Sequence, residues 1–409
     1  MSSLKYCKPS NAGFSLIEIM VGMVMGLISM VIVMQVFATF EGQKRTTTSG
    51  SDAQTNGGVG LYTIERDIRM AGYGFADAIG CTVKTAQPTL INSTLAVSSF
   101  VLAPVTIIQG VGGLPDTISV MASNKQNWSV PVRNVTDHSL NPGLFHVSTI
   151  IGMAQNDLLI AYETDNAGAL VKTCTLVQVS NAAPIIDPVV NNPGSWNAPA
   201  IFPASDYTVN AMLLNVGSLM VHYYSLDANS NLITMAYDST TNTGLDVVND
   251  PAQILSPDVV NLQAQYGFDT RSNANIPNVC FPTGSGLGFT PPVGVNASGQ
   301  CSIVDTWSDN PPVDISRIYA IRFAVVARSG LKEKPDQTTG VCNTTTTSPT
   351  WARDSTNPAG IVIDVSKNPN GQYPKKDDGI TPDPNAWKCY RYKTFETIVP
   401  IRNPIWKQR

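Results

Sequence analysis

The chain has 409 residues, 43% of them hydrophobic and only 14% charged, with 31 Gly, 28 Pro and a formal net charge of −4. So few charges and so many turn-formers argue for a β-rich, loop-rich body and against a helical bundle. A slightly acidic chain without a basic block lacks the electrostatic footprint of a nucleic-acid binder.

The first predicted element is an apolar run that follows Gly13 and lasts to Phe40, in which Glu18 is the only charged residue. At 1.5 Å per residue, a helix over that run reaches roughly 40 Å, more than the roughly 30 Å of a bilayer core. A carboxylate inside such a segment costs about 2.5–3.5 kcal/mol on insertion scales, so it calls for a specific partner. An ordinary secretory signal has an apolar region of about 7–15 residues ending in small residues. This run is longer, and its only alanine is Ala38. A lipoprotein signal sets a cysteine just after the run, whereas Cys7 lies before it. A plain transmembrane anchor accounts for the run but not for the residues that open it. Lys5 and Lys8 before the run balance Lys44 and Arg45 after it, so flanking charge does not set an orientation.

Those opening residues, Gly13-Phe14-Ser15-Leu16-Ile17-Glu18, resemble the class III signal of type IV prepilins. The resemblance implies that a dedicated prepilin peptidase cuts between Gly13 and Phe14 and that the new N-terminal Phe14 is methylated. Glu18, fifth in the mature chain, then helps the subunit join a filament. It also implies a leader in the cytoplasm and the remainder of the chain outside. Many major pilins carry a helix-kinking proline at mature position 22. Gln35 stands there in this chain, so a smoother helix is expected.

From Glu41 to Gly58 the chain turns polar. Gly50 and the Gly57-Gly58 pair, at about 1 kcal/mol per glycine relative to alanine, predict a frayed or broken helix there. Helical spacing resumes with Leu61, Ile64, Ile68 and Ala71 on one face, and Gly72 and Gly74 end it. Glu65, Arg66, Asp67 and Arg69 read as a solvated face, with Glu65 and Arg69 in the favourable acid-first order.

Strands are predicted at Thr117–Val120, Leu158–Tyr162 and Leu176–Val179. Leu219–Tyr224 and Leu232–Met235 read as a hairpin turning at Asp227–Ser230. Three later stretches, Ser256–Tyr266, Asp314–Arg328 and Tyr392–Pro404, join Ile64–Tyr73 in a second resemblance. In this order they look like the PilW family of minor pilins, at both ends of the chain and in the strands between residues 211 and 330. Residues 76–210 match no pattern of that family and read as insertion-like.

The expected fold is therefore α+β: a long N-terminal hydrophobic helix packed on antiparallel β-sheet, with a loop-rich β ectodomain. The expected divisions are a leader over 1–13, the membrane or filament-core helix over 14–40, and a polar linker and helix continuation over 41–75. A β-rich region over 76–210 and a pilin-like sheet region with disulfide loops over 211–409 follow.

Removing the leader takes Cys7 away and leaves Cys81, Cys174, Cys280, Cys301, Cys342 and Cys389. An even number suits an oxidising compartment. Six cysteines allow 15 connectivities. The short loop favours Cys280–Cys301, with Cys342–Cys389 and Cys81–Cys174 following by default, and buried free thiols are the alternative.

No catalytic constellation, metal site or cofactor site is legible. His138, His146 and His222 fit no metal-binding spacing, and no C-x-x-C occurs. Gly284–Gly288 lacks the strand–loop–helix setting of a phosphate loop. Asp227, Asn229, Asn231 and Asp238 echo a calcium loop, but Leu232 stands where its glycine belongs, so a hairpin turn is the better reading. Lys375–Gly379 reads as a solvated turn.

The resemblance implies a minor pilin that primes a type IV pilus and sits near its tip. Its partners would be other minor pilins, the major pilin, a tip adhesin, the prepilin peptidase and the inner-membrane assembly platform. It would be an inner-membrane, single-pass protein with a periplasmic ectodomain before assembly, and part of the surface pilus after it. A type II secretion pseudopilin and a membrane-anchored adhesin or binding protein are the alternatives.

Overall fold

The computed structural model describes residues 15–84, 99–125, 130–137, 144–165, 169–180, 189–190, 207–238, 252–268, 304, 306–336, 338–353, 357–376 and 379–402. The chain divides into two units, Met1–Asp52 and Ala53–Arg409. Helix α1, Leu16–Met70, begins in the first and ends in the second. It starts where the Ser15 carbonyl accepts from the N–H groups of Glu18 and Ile19, at 3.0 and 3.2 Å.

No break occurs at Gly50 or at Gly57-Gly58, which corrects the expectation of a frayed linker. Packing explains two of the glycines in this stretch. A Cβ on Gly57 would lie 2.2 Å from the Phe395 ring, and one on Gly60 would lie 2.8 Å from Leu232 Cδ2. Glycine lets the helix backbone approach the sheet, and that contact offsets the roughly 1 kcal/mol propensity cost. Gly50 and Gly58 face open space. Past Met70 the chain turns through Gly72 and Gly74, with φ of 74° and 83°, and the Gly72 N–H donates to Met121 O at 2.9 Å.

Strands follow in order: β1 Thr82–Lys84, β2 Ser99–Val101, β3 Val105–Ile108, β4 Thr117–Ser123, β5 Val132–Arg133 and β6 Leu144–Phe145. Then come β7 Leu158–Tyr162, β8 Cys174–Gln178, β9 Val189–Val190, β10 Met212–Gly217, β11 Leu219–Leu226, β12 Leu232–Asp238 and β13 Gln253–Ser256. The last are β14 Val259–Phe268, β15 Thr306–Ser308, β16 Ile318–Arg328, β17 Thr350–Trp351, β18 Ile361–Val362 and β19 Tyr392–Pro400.

They form a six-stranded sheet β2-β1-β8-β7-β10-β5, a five-stranded sheet β13-β12-β11-β4-β3 and a four-stranded sheet β15-β14-β16-β19. The pairs β6–β9 and β17–β18 stand apart from these. Ladders are antiparallel except β1 with β8. The expected boundary near residue 210 does not divide the sheets. β10 pairs with β7 and β5, and β11 pairs with β4, so strands from both sides of residue 210 share two sheets.

The cores follow from period-2 alternation. In β7, Leu158, Ile160 and Tyr162 enter one core with Phe75, Leu102 and Val216, while Leu159 and Ala161 enter another with Phe145 and Tyr207. Both faces are covered, so all five residues are buried. The continuously apolar part of β16 has the same cause: Ile321, Phe323 and Val325 meet Ile64 and Ile68 of α1, whereas Ala324 and Val326 meet Trp351 and Val365. Fully burying each isoleucine of that helical stripe is worth about 1.5–3 kcal/mol.

Candidate functional site: the N-terminal apolar helix

Within α1, Leu16–Glu41 is a 26-residue stretch of mean hydropathy 2.5 with no buried residue. At 1.5 Å per residue it extends about 39 Å, long and apolar enough to cross a membrane. Its backbone polar groups are satisfied along the helix, as a bilayer requires. The two hydroxyls at its middle and end turn inward to the backbone. Ser29 Oγ donates to Met25 O at 2.8 Å, and Thr39 Oγ1 donates to Gln35 O at 2.9 Å.

Glu18 lies in the first turn. A negative charge there faces the positive end of the helix dipole, an interaction worth about 0.3–1 kcal/mol. Its side chain is exposed, as are Leu16, Ile17, Ile19 and Met20 around it. An apolar surface broken by one carboxylate can be covered by lipid or by the like helices of other subunits. In either setting a charged carboxylate is costly without a partner. Gly13 and Phe14 lie outside the described residues, as does Cys7.

The second unit holds the other residues singled out above. Cys81 and Cys174 are joined by a disulfide that ties the start of β1 to β8, with Cα atoms 6.0 Å apart. Cys342 and Cys389 form another, with Cα atoms 4.9 Å apart. Cys280, Cys301, His138 and Gly284–Gly288 lie outside the described residues. Asp227 is occupied by its own hairpin turn: Oδ1 accepts from the N–H groups of Asn229 and Asn231, and Oδ2 accepts from Asn231 Nδ2 at 2.8 Å. Among the described residues, no three His, Cys, Asp or Glu side chains converge as metal ligands.

Asp67 departs from the solvated face expected of it. Glu65 and Arg69 pair at the surface. Asp67 is only 9% exposed, and its Oδ2 lies 2.5 Å from both Tyr224 Oη and His222 Nδ1 on β11. Burial works to raise its pKa, but the hydrogen bonds from His222 and Tyr224 and the attraction of His222 carry it below the ordinary carboxylate value. The partners lie 155 and 157 residues away, so charge spacing along the helix gives no hint of them. The cluster clamps the end of α1 to the five-stranded sheet.

Residues 8–34 match the family model described as the prokaryotic N-terminal methylation motif. No curated protein and no solved structure matches the chain. With the exposed apolar helix and the antiparallel-rich sheets, the motif supports a type IV pilin-like prepilin: a pilin or pseudopilin processed by a prepilin peptidase and anchored in a membrane before it assembles.

Proposed function

We propose that this chain is a minor pilin of the PilW kind, which primes assembly of a type IV pilus and is incorporated near its tip. The observation that carries the reading is the methylation motif at the head of an exposed 26-residue apolar helix with one carboxylate, Glu18. The role is structural and not enzymatic. The ordered resemblance of Ile64–Tyr73, Ser256–Tyr266, Asp314–Arg328 and Tyr392–Pro404 supports the finer assignment. Gly13 and Phe14 form the cleavage site, Phe14 is the methylated residue, and Glu18 pairs with the N-terminal amine of a neighbouring subunit. The partners are other minor pilins, the major pilin, a tip adhesin and the inner-membrane platform, and the second unit lies in the periplasm before assembly.

The test is purification of surface filaments from wild-type and deletion strains, with imaging and protein identification by mass spectrometry. Fewer pili on deletion, with this chain present at low abundance in wild-type pili, is the expected result. Intact pili with lost secretion would identify a pseudopilin. Neither defect would leave a membrane-anchored binding protein. Gly13→Leu should leave the leader attached, and N-terminal sequencing of wild type that begins anywhere but Phe14 overturns the cleavage assignment.

A further inference from the structure

Far from the apolar helix in sequence, three side chains meet that together hold the groups of an amide condensation. Lys125 follows β4, Asp157 precedes β7, and Asn215 lies on β10 where the ladder with β7 is irregular before Gly217. Lys125 Nζ lies 2.7 Å from Asp157 Oδ2, and Asn215 Nδ2 donates to the same oxygen at 2.8 Å. Amine and amide are thus separated by a single carboxylate oxygen.

The Asn215 amide has one orientation, held by backbone groups. Its Oδ1 accepts from the Gly217 N–H at 2.8 Å, and its Nδ2 also donates to Gly152 O at 3.0 Å. Asp157 is held in turn by the Ala154 N–H at 2.8 Å. Gly217 has φ of 60°, and a Cβ there would meet Lys125 Cδ at 3.1 Å and Asn124 Oδ1 at 2.7 Å. A glycine at this position lets the lysine stem run close beside the strand that carries Asn215. Asn215 is 2% exposed, and the Lys125 and Asp157 side chains are 19% and 12% exposed. Attack needs a neutral amine, which Nζ becomes by giving one proton to Asp157 Oδ2, 2.7 Å away.

The geometry points to a covalent cross-link between Lys125 and Asn215, formed by the chain itself with Asp157 as the proton carrier. The Nζ lone pair bonds to Asn215 Cγ, and the Cγ–Nδ2 bond breaks. A proton leaves Nζ and passes by way of Asp157 Oδ2 to the departing Nδ2. One ammonia is released, and nothing is oxidised or reduced. The Gly217 N–H stands at the carbonyl oxygen where negative charge gathers as Nζ adds, the role of an oxyanion donor. Fixed orientation of amine and amide replaces the encounter that makes this reaction slow between free side chains.

The product would tie the end of β4, in the five-stranded sheet, to β10, in the six-stranded sheet. The Cys81–Cys174 disulfide ties β1 to β8 inside the six-stranded sheet alone. A subunit carrying tension along a filament would gain a bond that neither a reductant nor local unfolding opens.

The experiment is intact-mass measurement of the full mature chain, purified in detergent, then reduced and alkylated. The expected mass is one ammonia below the full mass calculated for the mature, N-methylated and alkylated sequence, and tandem spectra of a digest should contain the Lys125 peptide joined to the Asn215 peptide. Lys125→Arg and Asp157→Ala should each restore the full mass. A wild-type chain at the full sequence mass, with both peptides unlinked, overturns the proposal and leaves the cluster as an ion pair with a bonded amide. Loss of ammonia without the joined peptide overturns it equally. A cross-link that persists in Asp157→Ala removes Asp157 from the reaction. The wild-type measurement decides the main question, so the test does not depend on any variant folding.

Discussion

Asp116 is 1% exposed and accepts from the N–H of Gly110 through Oδ1 and from that of Ala264 through Oδ2, each at 2.8 Å. Burial raises its pKa to about 6, helped by the negative charge of Asp309 and opposed by those two N–H donors. Between the ordinary carboxylate value and about 6, the folded state holds a proton that the unfolded state has released. The associated stability is therefore full at low pH and lost as pH rises through about 6. The stability of wild type relative to Asp116→Ala should be greater at pH 4 than at pH 7 in denaturant unfolding. A constant difference would refute the shift. Asp67 runs the other way. Its lowered pKa contributes stability that is present above the ordinary carboxylate value and lost as pH falls through the folded one. Asp67→Ala takes away the acceptor of the buried Tyr224 hydroxyl and the partner of His222, a loss of about 1–3 kcal/mol. A denaturant midpoint equal to wild type would show that the clamp contributes nothing.

Helix α1 is where local propensity and tertiary contact disagree most openly. Gly57, Gly58 and Gly60 carry the same intrinsic helix cost, yet only Gly57 and Gly60 touch the sheet. Gly58→Ala adds a methyl to open space and should stabilise by up to about 1 kcal/mol. Gly60→Ala drives a methyl toward Leu232, which is fully buried and has little room to move, so overpacking of about 1–3 kcal/mol should exceed the propensity gain. The pair predicts melting temperatures that shift in opposite directions. Equal rises in both variants would mean the helix does not need its close approach.

For the chain as a whole, the proposed function makes Glu18 its link to the assembly. Cleavage at Gly13 would create an amine on Phe14 with an ordinary pKa of about 7.7–8.0, charged at neutral pH. Such an amine can meet a neighbour's Glu18 in an apolar setting where either charge alone is costly. The expected result for Glu18→Ala is normal cleavage and membrane insertion with a clear loss of pilus number and of co-purifying minor pilins. Unchanged pilus number and co-purification would end the pairing role.

Much could be read along the chain because the signals are local. The methylation motif is contiguous, so its chemistry needs no fold to assemble it. Ile64, Ile68 and Ala71 lie on one helical face, and all three are fully buried. Leu158–Tyr162 forms β7 over the residues that its apolar run suggested, and Asp227–Ser230 turns the β11–β12 hairpin. What could not be read depends on which distant segments meet. Only tertiary contact separates Gly57 and Gly60 from Gly58, removes Asp67 from solvent, and places strands from both sides of residue 210 in shared sheets. The Lys125–Asp157–Asn215 cluster is of this kind as well, since its members are 32 and 58 residues apart along the chain. The physical reason is the same throughout: periodicity reports which face of an element is apolar, while pairing between sheets is decided by packing over distances that no local pattern spans.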